Sequence, residues 1–318
     1  MTYNTSVLDQ AHFDAFRVIL KACLVDGYGL VPAAGWELIH SAANSIVLRN
    51  GTHSGYVCFQ RTPSTSSLVT VWLAATYSGV DAAGKIIGDG VRSGTAANSS
   101  APHRLQVRAL AARSESSTWA MVADNETFVL SMSGSSSVAP IEVTGVAGQS
   151  YEANLTFYCG SDSFGDFICA GGANSESSSA SLDTARFSSA GFTCLKHPDT
   201  GLLVDTGAIT VFMPGTVVFN NATLFSGFPS GVVLSSAHLS PLSWIANSVV
   251  RRLRGIAVDP RLSYAYNSPA AQALGGPALT TRTMNTLLDL GDGHDYLIGR
   301  AYYTNAITML LTTHPEFW

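Results

Sequence analysis

The sequence predicts an α+β, β-rich fold in which one N-terminal helix packs on antiparallel β-sheets in a sandwich-like arrangement. Three observations lead there. Near the start, Phe13, Phe16, Leu20 and Cys23 recur at helical spacing behind Ser6 and Asp9, a capping-box pair. After Gly29 the pattern changes to short alternating or wholly apolar runs separated by small polar turns. The segments between those runs are rich in Ser, Gly, Ala and Asn, as exposed loops of a sheet scaffold are.

The helix is expected over Val7 to Leu24, stopped by Gly27 and Gly29, with one apolar face that must lie on something. Strands follow at Tyr56–Gln60, Leu68–Tyr77, Arg104–Ala109, Trp119–Ala123, Thr127–Met132, Leu155–Cys159 and Ala208–Met213. Leu105, Val107 and Ala109 share one face by alternation. Leu68 to Leu73 is apolar on both faces, which marks a central strand covered on each side. Ser93–Ala101, Ser131–Ser137 and Gly171–Ser181 read as loops. In the last third, Trp244–Arg254 and Thr281–Leu290 read as short helices, and Tyr296–Leu311 as one or two strands. A chain ending in Phe317 and Trp318 is expected to dock those rings on its core or on a neighbour. The domain reading is residues 1–195 as a helix plus β-rich domain, with 196–318 as a second β-rich lobe with short helices, tightly apposed.

Composition narrows the function classes. The 318 residues are 46% hydrophobic and only 12% charged, against roughly 25% charged in ordinary soluble domains. Such a chain keeps its surface wet with Ser, Thr and Asn or hides part of it in contacts, and buried interfaces are depleted in charge. The net charge of −5 argues against a nucleic-acid-binding surface. The basic cluster Arg251, Arg252 and Arg254 reads as a solvated turn or as local salt-bridge partners. No run approaches the ~18 apolar residues that span a bilayer, and the polar start does not read as a secretory signal. Without secretion, the Asn-x-Ser/Thr triplets at Asn50, Asn125 and Asn154 are incidental. Cys23, Cys58, Cys159, Cys169 and Cys194 read as free thiols. Cys23, Cys58 and Cys159 sit in apolar segments and are expected to be reduced and buried, whereas Cys169 and Cys194 lie nearer loops and are the pair most able to cross-link or react.

Candidate chemistry is sparse. Gly227 to Gly231 approaches a nucleophile elbow without its spacing, and Pro229 suits a turn. Asp292, His294 and Asp295 form the most site-like cluster, able in principle to hold a divalent metal or do acid–base work, but Gly-Asp-Gly-His-Asp is also a tight turn, the stronger reading. Asp162 and Asp166 among glycines resemble a calcium loop but lack the EF-hand spacing and its closing Glu. Cys159 and Cys169 have no histidine at zinc spacing. Trp36, Trp72, Trp119 and Trp244 could form a sugar platform, but each lies in or beside an apolar run, so core packing is favoured. No phosphate-cradling or dinucleotide motif is present. The reading therefore assigns no catalytic residue, cofactor or metal.

Several segments form a familiar set in a fixed order: Ile19 to Gly29 (ILKACLVDGYG), Pro32 to Glu37 (PAAGWE), Asn44 to Arg49 (NSIVLR), Arg113 to Leu130 (RSESSTWAMVADNETFVL) and Tyr158 to Phe167 (YCGSDSFGDF). Together they resemble a family of virion structural proteins of tailed bacteriophages and prophages of proteobacteria, whose members read LDACLVNGFG, AGW, ARPWVLIADGR and FFGDF. The stretch between Gly29 and Pro32 is shorter here than in that family. The resemblance implies a non-enzymatic particle component, assembled in the bacterial cytoplasm with copies of itself and other virion proteins, in the tail or tail tip and baseplate. The alternatives are a capsid-surface or neck component, a receptor- or glycan-binding adhesin, and a tail-associated hydrolase centred on Asp292, His294 and Asp295. Low charge also predicts self-association, with Tyr302, Tyr303, Phe317 and Trp318 as the contact patch.

Overall fold

The structure, a computed structural model, describes residues 12–61, 68–94, 102–106, 118–133, 155–171, 192–198, 200–203, 211–212, 239–246, 249–258, 287–300 and 308–318. The Val107–Ala109 end of the expected strand Arg104–Ala109, the GFPSG segment, Tyr302 and Tyr303 lie outside them.

Helix α1 (His12–Lys21) runs directly into a π-helical turn, Ala22–Asp26. Phe13, Phe16, Ile19 and Leu20 are buried, with Cys23 and Leu24 of the turn, while Asp14, Val18 and Lys21 face outward. That is the stripe the sequence spacing requires. The wide turn leaves carbonyls that the returning chain uses: Ala34 N–H donates to Cys23 O at 3.1 Å and Trp36 N–H to Leu24 O at 3.0 Å.

Strands β1 (Glu37–Ala42), β2 (Ser45–Arg49), β3 (Tyr56–Arg61) and β4 (Leu68–Ala74) form an antiparallel meander, closed by β7 (Arg104–Gln106) beside β4. The short hairpin β5 (Gly79–Val80) and β6 (Ile86–Ile87) lies between them in sequence; Ile86 clusters with Val47, Cys58 and Ala74 on one face of this first sheet. Strands β8 (Thr118–Ala123), β9 (Thr127–Ser133), β10 (Leu155–Ser161), β11 (Phe167–Ala170) and β12 (Phe192–Cys194) make a second meander. The third sheet joins β13 (Val211–Phe212), β14 (Ser240–Ala246), β15 (Val249–Val258), β16 (Leu287–Asp289), β17 (Asp295–Arg300) and β18 (Thr308–Thr312) in the order β13-β14-β15-β18-β17-β16.

The second sheet is the middle layer, and its alternation shows why. Trp119, Met121, Phe128, Leu130, Phe157, Cys159, Phe167 and Cys169 pack with α1 and the inner face of the first sheet. The intervening Ala120, Val122, Val129, Tyr158, Ile168 and Ala170 pack against Leu242, Trp244, Leu253, Ile256 and Leu311 of the third. Period-two alternation between two apolar faces is what a sheet covered on both sides requires. Strand β4 behaves as expected of a two-faced strand: Val69, Val71 and Leu73 point to the inner core and Trp72 and Ala74 to the outer cluster.

Two helical expectations are corrected. Trp244–Arg254 is not a helix but the ends of β14 and β15, paired with Ala246 opposite Val249. Val250 to Leu253 decide it: they run exposed, buried, exposed, buried, the sustained period of two that a strand produces. The described end of Thr281–Leu290 is likewise strand, β16. Among the described residues of 196–318 the regular elements are thus strands, save for a 3-10 turn at Pro315–Phe317. The chain end docks on its own core. Phe317 is buried beside Tyr296 and Leu310, and the Trp318 indole donates to Thr312 O at 2.8 Å.

Candidate functional site

The densest charged constellation joins the tight turns of the middle sheet to β15. The β10–β11 turn places Asp162 at its start, where Oδ1 accepts the N–H groups of Phe164 (2.8 Å) and Asp166 (3.0 Å). Its Oδ2 accepts the Trp244 indole N–H at 3.2 Å. Arg251 reaches the same turn: Nε donates to Asp166 Oδ2 at 3.0 Å, lies 3.6 Å from Asp162 Oδ2, and Nη2 donates to Pro198 O at 3.0 Å. Its guanidinium also lies over the Trp244 and Phe164 rings, 5.0 and 5.5 Å from their centroids. One turn along, Arg254 pairs with Asp124 at 2.6 Å and with Glu126, both on the β8–β9 turn. The place a calcium ion would take beside Asp162 and Asp166 is thus held by a guanidinium. The arginine cluster is a set of salt-bridge partners, with only Arg252 left exposed. The constellation pairs these carboxylates with two arginines of β15 and clamps the middle sheet to the third.

Of the cluster Asp292, His294 and Asp295, the first two lie in the β16–β17 turn and Asp295 opens β17 opposite Asp289. Asp292 Oδ1 accepts His294 N–H at 3.0 Å and Oδ2 accepts the Tyr296 hydroxyl at 2.6 Å. The His294 ring lies edge-on to His314, centroids 4.3 Å apart, and the backbone of Asp295 bonds Thr313 in both directions. Both Asp292 oxygens therefore stabilise the turn. Burial, with Asp292 at its hydroxyl, raises the Tyr296 phenol. Among the described residues, no group of three or more His, Cys, Asp and Glu is placed to hold a metal ion, and no helix is long and apolar enough to cross a membrane.

Core packing, the reading favoured for the four tryptophans over a sugar platform, is what the structure shows for three of them. Trp36, Trp119 and Trp244 are core residues. Trp72 is half-buried, its indole donating to Gln60 and its ring 4.2 Å beneath Lys85 Nζ. The reading of the cysteines as free thiols holds, while that of Cys169 and Cys194 as the more reactive pair is corrected. All five thiols are free and buried, Cys169 and Cys194 included. Those two cannot pair, because Cys194 stands opposite Ile168 and packs on the third sheet, while Cys169 points to the helix side.

Sequence reasoning missed His103. It is wholly buried between the first and middle sheets, with Nδ1 at 2.9 Å from Thr193 Oγ1 and Nε2 on Gly171 O. A carbonyl only accepts, so Nε2 carries the proton and Nδ1 accepts from the threonine. No spacing in the sequence links residues that far apart. Burial lowers the His103 pKa to about 4, and burial raises that of Asp162 to about 6.

These two groups act oppositely on stability. Between about pH 6.5 and 4 the unfolded chain protonates His103 and the folded one does not, so acidification removes stability. Between about pH 6 and 3.8 folded Asp162 holds a proton the unfolded chain has lost, so acidification adds stability. Each contributes on the order of 1–2 kcal/mol between pH 7 and pH 5. Relative to the parent protein, His103→Gln should gain stability on going from pH 7 to 5 and Asp162→Asn should lose it. Urea midpoints at the two pH values read the difference, and parallel shifts in both variants would refute the assignment.

No protein-family model, no curated protein and no solved structure matches the chain.

Proposed function

We propose that this protein is a structural subunit of a tailed-bacteriophage virion, placed in the tail or its tip, that works by packing against copies of itself and other virion proteins. The observation that carries the reading is where the segments resembling the virion family lie. They are far apart in sequence yet meet in one core. Trp36, from the Pro32–Glu37 segment, packs edge-on to Phe128 with centroids 5.3 Å apart and 6.2 Å from Phe167, and donates its indole N–H to Asp124 O. Tyr28, from the helix-terminal segment, meets Trp119 edge-on at 5.6 Å. The resemblance is therefore to the residues that hold one folded unit together, as expected of a shared scaffold. The sparse charge, 12% of residues, fits a surface that is covered in an assembly.

Purified particles, analysed by mass spectrometry and immunogold labelling, test this directly. The chain should be present in stoichiometric copies with label on the tail. Label on the head or neck would move the subunit, and absence from particles would refute the reading. The isolated chain should self-associate, its mass by sedimentation rising with concentration; a protein that stays monomeric at high concentration counts against assembly as its role.

A further inference from the structure

We propose that Cys159 and Cys169 are a latent cross-strand disulfide whose redox state is set while the chain folds and is then sealed in the core. The two residues stand directly opposite each other on β10 and β11, and both side chains point into the same core between the first and middle sheets.

The hairpin fixes the kind of pair they make. Its turn closes with Asp162 N–H to Asp166 O and Gly165 N–H to Asp162 O, both 3.0 Å, and Gly165 takes the left-handed φ of +81° that such a turn needs. Counting back from that hydrogen-bonded pair, Ser161 and Phe167 form a non-bonded pair, Gly160 and Ile168 a bonded one, and Cys159 and Cys169 a non-bonded one. The far side of β11 agrees: Phe167 O accepts from Leu195 N–H, so the backbone groups of Phe167, and of Cys169 two residues on, face β12. At non-hydrogen-bonded sites the Cα atoms are about 4.5 Å apart and the side chains closest, within the roughly 4.4–6.8 Å that a disulfide spans.

Access sets the timing. In the folded protein both thiols are fully buried, and burial raises Cys159 well above an ordinary thiol, so little reactive thiolate forms. In the unfolded chain neither restriction applies. Cys159 and Cys169 are the closest two cysteines in the sequence, so their loop has the lowest closure entropy. With oxidised glutathione as oxidant, one cysteine thiolate displaces a glutathione thiol to give a mixed disulfide. The second displaces the other glutathione. Two protein thiols become one disulfide, and the glutathione disulfide becomes two thiols.

The test unfolds the full chain in a glutathione redox buffer, refolds it there, and compares it with native reduced protein held in the same buffer. The refolded protein should lose two of its five thiols, weigh two hydrogens less, and yield one cross-linked peptide pair holding Cys159 and Cys169. The native protein should keep all five over the same time. Cys159→Ser and Cys169→Ser chains should each fold with no disulfide. Export of the growing chain to an oxidising compartment gives the same readout where refolding yields are poor. A refolded or exported protein with every thiol free, or with Cys23, Cys58 or Cys194 in the bond, overturns the proposal. Oxidation of the native protein as fast as of the unfolded one overturns the sealing.

Discussion

Arg251→Ala is expected to destabilise the protein by about 3–5 kcal/mol, the range for removing one partner of a buried ion pair. The loss is not mainly that of attraction. Arg251 is 6% exposed and the Asp162 side chain 0%, so deletion leaves a carboxylate with no cation in a poorly solvated site. It also empties the space between the Trp244 and Phe164 rings. Arg254→Ala removes an equally regular pair of contacts, but Asp124 and Glu126 are 31% and 30% exposed and regain water; about 1 kcal/mol or less is expected there. Urea unfolding of the two variants gives the contrast. In an Arg251→Ala background, Asp162→Asn should recover part of the loss by removing the stranded charge. Equal costs for the two arginines, or no recovery, would show that the Asp162 site is wet.

Removing Pro315–Trp318 is expected to cost on the order of 5 kcal/mol, since deleting a buried phenylalanine alone costs about 3–5 kcal/mol. Phe317 is 5% exposed, and Trp318 closes over β15 where Gly255 has a φ of +71°. A Cβ at Gly255 would stand 2.7 Å from the Trp318 ring, so glycine admits both the backbone conformation and the ring. Thermal melting should fall by on the order of 10 °C. Gly255→Ala should be costly in the full chain and less so in the truncated one, where only the backbone strain of about 1–2 kcal/mol remains. This replaces the expectation that Phe317 and Trp318 are an intermolecular patch: they are spent on the chain's own third sheet. Truncation that weakened assembly while leaving the melt unchanged would restore the earlier view.

Local pattern was legible wherever one residue's environment depends on its near neighbours. The α1 stripe of Phe13, Phe16, Leu20 and Cys23 and the strands at Tyr56, Leu68, Trp119, Thr127 and Leu155 follow from period alone. So do the turn at Asp292–Asp295 and the core placement of Trp36, Trp119 and Trp244. The β-rich class with a single leading helix was thus set by the residues themselves.

Tertiary structure decided the rest, because it depends on which distant surfaces meet. Trp244–Arg254 has apolar and basic residues that suit either period; packing on the middle sheet selects the strand, turning Leu253 and Arg251 inward together. Cys169 and Cys194 look alike in sequence, near loops, yet strand register sends them to opposite faces. His103 acquires its partners only when Thr193 and Gly171 arrive from the neighbouring sheet. Arg251 becomes a buried ion because β15 crosses the acidic turn of β10 and β11. Periodicity records which face of a segment avoids water; it does not record what covers that face, and charge burial, register and pKa are all set by the cover.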